Sequence, residues 1–175
     1  MPRERTYLRY QLYRSKARKQ AGIAIHRMQF HDGADFSKIR FEPIDAIALI
    51  AFELWENPHF CWREIAVWKS REPLSLDIAI WFEEQLCGLC FANPNKSRQR
   101  IRIVRLEGQP GALHPLKKRI SVLAMMAIDE FAQIIGSKWI EVQEPLQEAM
   151  PVYTKLGFKF DLEGRLVLAV ESKVS

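Results

Sequence analysis

Apolar residues recur along this chain in two periods, and the change of period divides it. Ser37–Ile44 alternates weakly and reads as a strand. Asp45 suits an N-cap for a helix over Ala46–Glu56, which Asn57-Pro58 ends. A second helix is predicted over Trp62–Ser70 and closed by Pro73. Leu76, Ile78, Ile80 and Phe82 then alternate with Asp77, Ala79, Trp81 and Glu83, the period-two pattern of a strand. Glu83-Glu84-Gln85 turns the chain, and Leu86–Ala92 returns as the hairpin partner. After a turn at Asn93-Pro94-Asn95, Arg100–Glu107 forms a third strand, which completes an antiparallel meander.

The period lengthens after the loop Gly108–Leu113. Pro115 suits the first position of a helix, where its missing N–H is no loss. Leu116, Ile120, Leu123, Ala127, Phe131 and Ile134 follow in steps of four and three, as on an amphipathic helix of about five turns. Gly136 is its C-cap. Lys138–Val142 reads as a strand, Pro145–Leu156 as a helix stopped by Gly157, and Arg165–Val170 as the last strand. Leu8, Leu12 and the nearby tyrosines would let residues 1–20 form a basic helix, and a mobile arm is the alternative. Gly22 and Asp32-Gly33 suggest short extended pieces with a turn over 21–37.

Composition narrows the class. The chain has 175 residues, 48% apolar and 27% charged, enough for one domain with its own core. No run of about eighteen apolar residues exists; Ile44–Trp55 is interrupted by Asp45 and Glu53. Seven of the 26 basic residues (Arg3, Arg5, Arg9, Arg14, Lys16, Arg18 and Lys19) and one of the 21 acids lie in residues 1–20. That segment carries +6 of the net +5, and the rest of the chain is −1. The expected organisation is therefore a basic extension, 1–20, on a single domain, 21–175. Three cysteines, an odd count, argue against a secreted disulfide framework. The start is charged where a secretory leader would be apolar. The expected location is the cytoplasm.

The run Ala149-Met-Pro-Val-Tyr153-Thr-Lys-Leu156-Gly157-Phe158 matches Ala-x-x-x-Tyr-x-x-Leu-Gly-Phe. With an antiparallel meander followed by strand, helix, strand, helix and strand, residues 37–170 resemble the GNAT acyltransferase superfamily. The resemblance implies an α/β fold with a mixed, mostly antiparallel central sheet. Its middle strands, here Arg100–Glu107 and Lys138–Val142, splay apart between flanking helices. It also implies acetyl-CoA as the acyl donor, held at Arg105, Leu106 and Glu107, whose backbone meets the pantetheine arm and polarises the thioester. Tyr153 stands at the position of the general acid that protonates the leaving thiolate. The acceptor is an amine, on a small molecule or a protein.

The chain departs from the family where the diphosphate binds. Glycines are expected in Gln/Arg-x-x-Gly-x-Gly/Ala, but Leu116-Lys117-Lys118-Arg119-Ile120-Ser121 stands there, with Arg119 and Ser121 in the glycine places. Lys117, Lys118 and Arg119 in the first turn and a half of a helix disfavour its dipole unless an anion binds, so Lys117 through Ser121 read as a substitute diphosphate site. Leu146 replaces an Asn common in the family. Glu107 and Glu144, at the ends of the two splayed strands, are the candidate general bases. Cys87-Gly-Leu-Cys90 lacks a second pair, and residues three apart on a strand face opposite ways, so no metal is expected. The four histidines lack ligand spacing; His114 suits a cap or a phosphate contact. Trp55, Trp62, Trp68 and Trp81 read mainly as core, with some lining an acceptor pocket. The alternatives to catalysis are a GNAT-like binding module and a protein that contacts nucleic acid through its tail. A second copy of the chain as a dimer partner is left open.

Overall fold

A computed structural model describes residues 2–28, 30–31, 33–111 and 113–171. In chain order the elements are α1 (Pro2–Met28), β1 (Phe30–His31), β2 (Ala34–Asp35), β3 (Ile39–Glu42), α2 (Ala46–Phe52), α3 (Ile65–Arg71), β4 (Leu76–Phe82), β5 (Gln85–Pro94), β6 (Arg100–Gly108), α4 (Ile120–Ile135), β7 (Trp139–Val142), α5 (Met150–Leu156), β8 (Lys159–Phe160) and β9 (Leu166–Ala169). Seven strands form one sheet in the order β3-β4-β5-β6-β7-β9-β8. Every pairing in it is antiparallel except β6 with β7. The α/β class and the mostly antiparallel sheet agree with the expectation.

The sheet carries a core on each face. On one, Tyr10, Ala17, Ala21 and Ile25 of α1 and Leu123, Ala127 and Phe131 of α4 close over Ile78, Ile80 and Ile101. On the other, Ala48 and Phe52 of α2 and Ile65 and Trp68 of α3 close over Ala79, Trp81, Leu89 and Phe91. Both faces of β4 are therefore buried, Asp77 included. Asp45 caps α2 as expected, accepting from Ala48 N–H at 3.0 Å. The four tryptophans singled out above are all buried.

Three expectations need correction. First, Leu8 and Leu12 are exposed, and the buried stripe of α1 runs instead through Tyr10, Arg14, Ala17, Ala21 and Ile25. The helix continues without a break through residue 20 to Met28, where extended pieces were expected. Arg14 donates to the carbonyls of Pro73 (3.2 Å) and Ser75 (2.9 Å), and Arg18 pairs with Asp77 (2.8 Å). Two of the seven tail cations thus fasten the helix to the domain. Second, α4 begins at Ile120, not at Pro115. Residues 115–119 form tight turns, with Lys118 in the left-handed region at φ 70, a conformation that breaks a right-handed helix. Third, Cys87 and Cys90 join the same core. Ile80 pairs with Gly88 and Trp81 with Leu86, so Cys87 is the unpaired residue of a bulge and the alternation skips a beat. Burial pushes the Cys87 thiol up to about 11 and raises that of Cys90 as well. Both are un-ionised packing residues.

Candidate active site

β6 and β7 pair in parallel only from Arg100↔Trp139 to Ile103↔Val142. The last bond across them is Gln143 N–H to the Ile103 carbonyl, 3.1 Å. Beyond it the strands part. β6 runs on to Gly108 against β5 alone, so its other edge has no partner strand. The chain after β7 is turned away by Glu144, whose φ is 45, and by Pro145. A cavity of about 140 Å³ fills the opening, with Leu106 and Gly108 from β6, Ile120 and Ser121 from α4, and Tyr153 from α5 in its wall.

The sequence motif around Tyr153 has a local physical purpose. Gly157 ends α5 in the left-handed conformation, φ 101, which a Cβ would strain. Phe158 N–H then bonds back to the Tyr153 carbonyl at 3.0 Å. The Phe158 ring packs edge-on against the Tyr153 ring, centroids 5.4 Å apart. The phenol is thereby held in the cavity wall with its ring buried. Among the described residues its hydroxyl has no hydrogen-bond partner. Burial, helped by the neighbouring Cys90 sulfur, pushes it up to about 12, so it stays protonated at any physiological pH.

The entrance to α4 lies beside this opening. His114 Nδ1 accepts from Leu116 N–H at 3.3 Å and so caps the turn before the helix rather than the helix itself. Burial, reinforced by Lys117, holds the His114 imidazole below its usual value. Lys117 and Lys118 are exposed, and Arg119 is the N-cap residue. Ile120 packs closely on the sheet: a Cβ on Gly88 would come within 2.7 Å of its side chain, and one on Gly108 within 3.2 Å.

The other face of β6 is different in kind. The register shifts between Phe91/Ala92 and Arg105/Ile103, leaving Val104 as a bulge. The Glu107 side chain turns to the 59–62 loop, whose Phe60 lines the opening. Its carboxylate accepts from His59 N–H (2.6 Å), Phe60 N–H (3.2 Å) and the Trp62 indole N–H (2.9 Å). The Arg105 guanidinium lies over Trp68, 3.9 Å from the ring centroid. It borders a second cavity, of about 430 Å³. Val104 and Gln143 line both cavities, which adjoin where the strands part.

No family model and no curated protein matches the sequence. Solved structures do match in shape. The ribosomal-protein-S18-alanine N-acetyltransferase of Escherichia coli superposes with a TM-score of 0.55 at 16% identity, over 78% of this chain and 96% of that one. A Bacillus subtilis acetyltransferase in complex with CoA also gives 0.55 at 16%, over 77% and 100%. An acetyltransferase of the GNAT family from Desulfovibrio desulfuricans gives 0.51 at 13%, over 76% and 99%. The fold is that of the GNAT acyltransferases.

On this GNAT fold the residues singled out from the sequence fall into three places. Tyr153, Leu106, Glu144, Ile120 and Ser121 meet at the opening. Lys117, Lys118 and Arg119 stand at its α4 rim, outside the cavity lining. Arg105 lines the second cavity, and the Glu107 side chain is held by the 59–62 loop. Glu107, a candidate base, accepts three bonds from fixed N–H groups of the 59–62 loop. Sequence reasoning missed Gln143, the Val104 bulge and the arginines around the larger cavity. The one available signal was Arg100, Arg102 and Arg105 within an otherwise Ile- and Val-rich strand.

Proposed function

We propose that this chain is an N-acyltransferase that moves the acetyl group of acetyl-CoA to an amine by direct attack, in the cytoplasm. The observation that carries the reading is the β6–β7 opening with a buried, protonated phenol in its wall. Acetyl-CoA would supply the activated acyl thioester. The chain's residues suit its parts. The unpartnered edge of β6 around Arg105–Glu107 offers main-chain donors and acceptors to an amide-bearing arm. Lys117, Lys118 and Arg119, with the free N–H groups that open α4 at Ile120 and Ser121, suit a diphosphate. Tyr153 gives its proton to the departing sulfur. Glu144, exposed on the cavity rim, takes the proton of the amine. Glu107 keeps the 59–62 loop seated on β6.

A second reading, a GNAT-like binding module without catalysis, draws on one feature. The Ile120 side chain is seated against Gly88 and Gly108, beside a cleft of only about 140 Å³. Assaying CoA release against an amine panel separates the readings. Tyr153→Phe should lower kcat about a hundredfold while acetyl-CoA affinity holds, because a proton transferred only in the transition state does not contribute to ground-state binding. The wild-type rate should not fall from phenol ionisation below about pH 10, given where burial holds this group. Wild-type turnover in the variant would make Tyr153 a packing residue, and an alkaline limb below that pH that vanishes with the variant would contradict the raised phenol. Acetyl-CoA binding with no turnover on any amine would favour the binding module.

A further inference from the structure

The larger cavity is lined by five arginines: Arg71 at the end of α3, Arg100, Arg102 and Arg105 on β6, and Arg165 before β9. Among the described residues Glu72 is the only carboxylate in the lining. It is engaged already, accepting from Asn93 Nδ2 at 2.8 Å. Buried Glu141 takes up Arg100 at 3.1 Å and Arg102 at 3.0 Å. Glu163, outside the lining, pairs with Arg165 at 2.9 Å. Five guanidiniums against these three carboxylates leave two positive charges unbalanced. Among the described residues neither Arg71 nor Arg105 has a carboxylate within ion-pair distance, and the carboxylate charge acting on Arg105 is that of Glu64. Arg105 is half-buried and stacked on Trp68, and burial lowers its guanidinium from the usual value. Grouped, partly desolvated cations repel one another, and an anionic ligand offsets both that repulsion and the desolvation. A planar guanidinium with free donors suits a carboxylate or phosphate.

We propose that this cavity takes a small amine bearing a carboxylate or phosphate group, held by Arg105 and Arg71, and that this molecule is the acceptor. The role as acceptor rests on the acyl-transfer reading. Val104 and Gln143 line both this cavity and the β6–β7 opening, which sets the anionic end among the arginines and the amine towards the opening. The amine nitrogen forms a bond to the acetyl carbonyl carbon and the carbon–sulfur bond breaks. The sulfur leaves with the bonding pair and takes one proton, and the nitrogen gives one up. No oxidation state changes.

The test is a calorimetric titration of the full chain with O-phosphoethanolamine, β-alanine and spermidine, each with and without acetyl-CoA. The first two arms separate phosphate from carboxylate, and the third carries amines without an anion. At least one anionic amine should bind more tightly than spermidine and lose affinity with added salt. Arg105→Gln should weaken that binding about tenfold or more. Arg71 is exposed, so Arg71→Gln tests the same point without risk to the fold. Tighter spermidine binding, or anion binding unaltered in both variants, overturns the proposal. Arginine-dependent anion binding in a chain that binds no acetyl-CoA upholds the anion site and removes the acyl-transfer reading.

Discussion

Asp77 and Glu107 both sit in strands among apolar residues, and each is fixed by three groups brought from elsewhere. Around Asp77 these are Arg18 at 2.8 Å, Lys69 at 3.0 Å and the Ile44 N–H at 2.8 Å. Burial alone would raise the Asp77 carboxyl, but the two cations hold it below its usual value. Asp77→Asn should cost about 3 kcal/mol in urea unfolding, because it leaves Arg18 with an uncompensated charge. A carboxylate held low contributes fully above its unfolded value and loses that contribution as pH falls through its folded one. Below about pH 4 the wild type should therefore lose stability more steeply than the variant. Parallel acid profiles would show that the pair adds nothing. Neither fastening was visible in the sequence, since all the partners but Lys69 lie tens of residues away. For Glu107 the outcome also depends on the Val104 bulge, which sets the face to which the residues after it turn.

The elements differ in how plainly they were written. The meander β4–β6 was legible almost to its ends, because dense Ile, Val and Leu at period two alternate between turn residues with few other readings. Asp45 and Gly136 marked helix ends for the same local reason. α1 was half legible. Its core-facing stripe is Tyr10, Arg14, Ala17, Ala21 and Ile25, in which an arginine and two alanines hide the period from a hydrophobicity count. α4 was entered too early because Pro115 and Leu116 fit the spacing, while the left-handed turn at Lys118 leaves no trace in a lysine side chain. The stripe on α1 has a direct consequence. Deleting residues 1–20 uncovers Phe131, against which the Tyr10 ring packs at 6.0 Å, and strips Arg18 from Asp77. The deletion should cost at least about 3 kcal/mol, from the Tyr10 burial and the broken pair together, and lower the melting temperature by several degrees or more. An unchanged melting temperature would mean that α1 is an appendage.

At the scale of the molecule, the sheet divides the chemistry. One face and the gap between β6 and β7 offer main-chain groups, a phenol and a helix entrance, and the opposite face offers arginines. The motif ending in Leu156-Gly157-Phe158 made the first legible, because glycine and phenylalanine there have a local task that places Tyr153. The second was not legible, because its arginines come from α3, β6 and the turn before β9 and converge only through the sheet order. The central claim is that acetyl-CoA occupies the β6–β7 opening, and a calorimetric titration of acetyl-CoA into three proteins tests it most directly. The wild type should bind one equivalent saturably. Ser121→Trp, which places an indole in the cavity wall, should weaken binding about tenfold or more, since truncating or blocking a central contact costs over 1 kcal/mol. Lys117→Gln with Lys118→Gln should weaken it while leaving the melting temperature in place, as both side chains are exposed. Absence of saturable binding in the wild type, or equal affinity in all three proteins, would contradict the account.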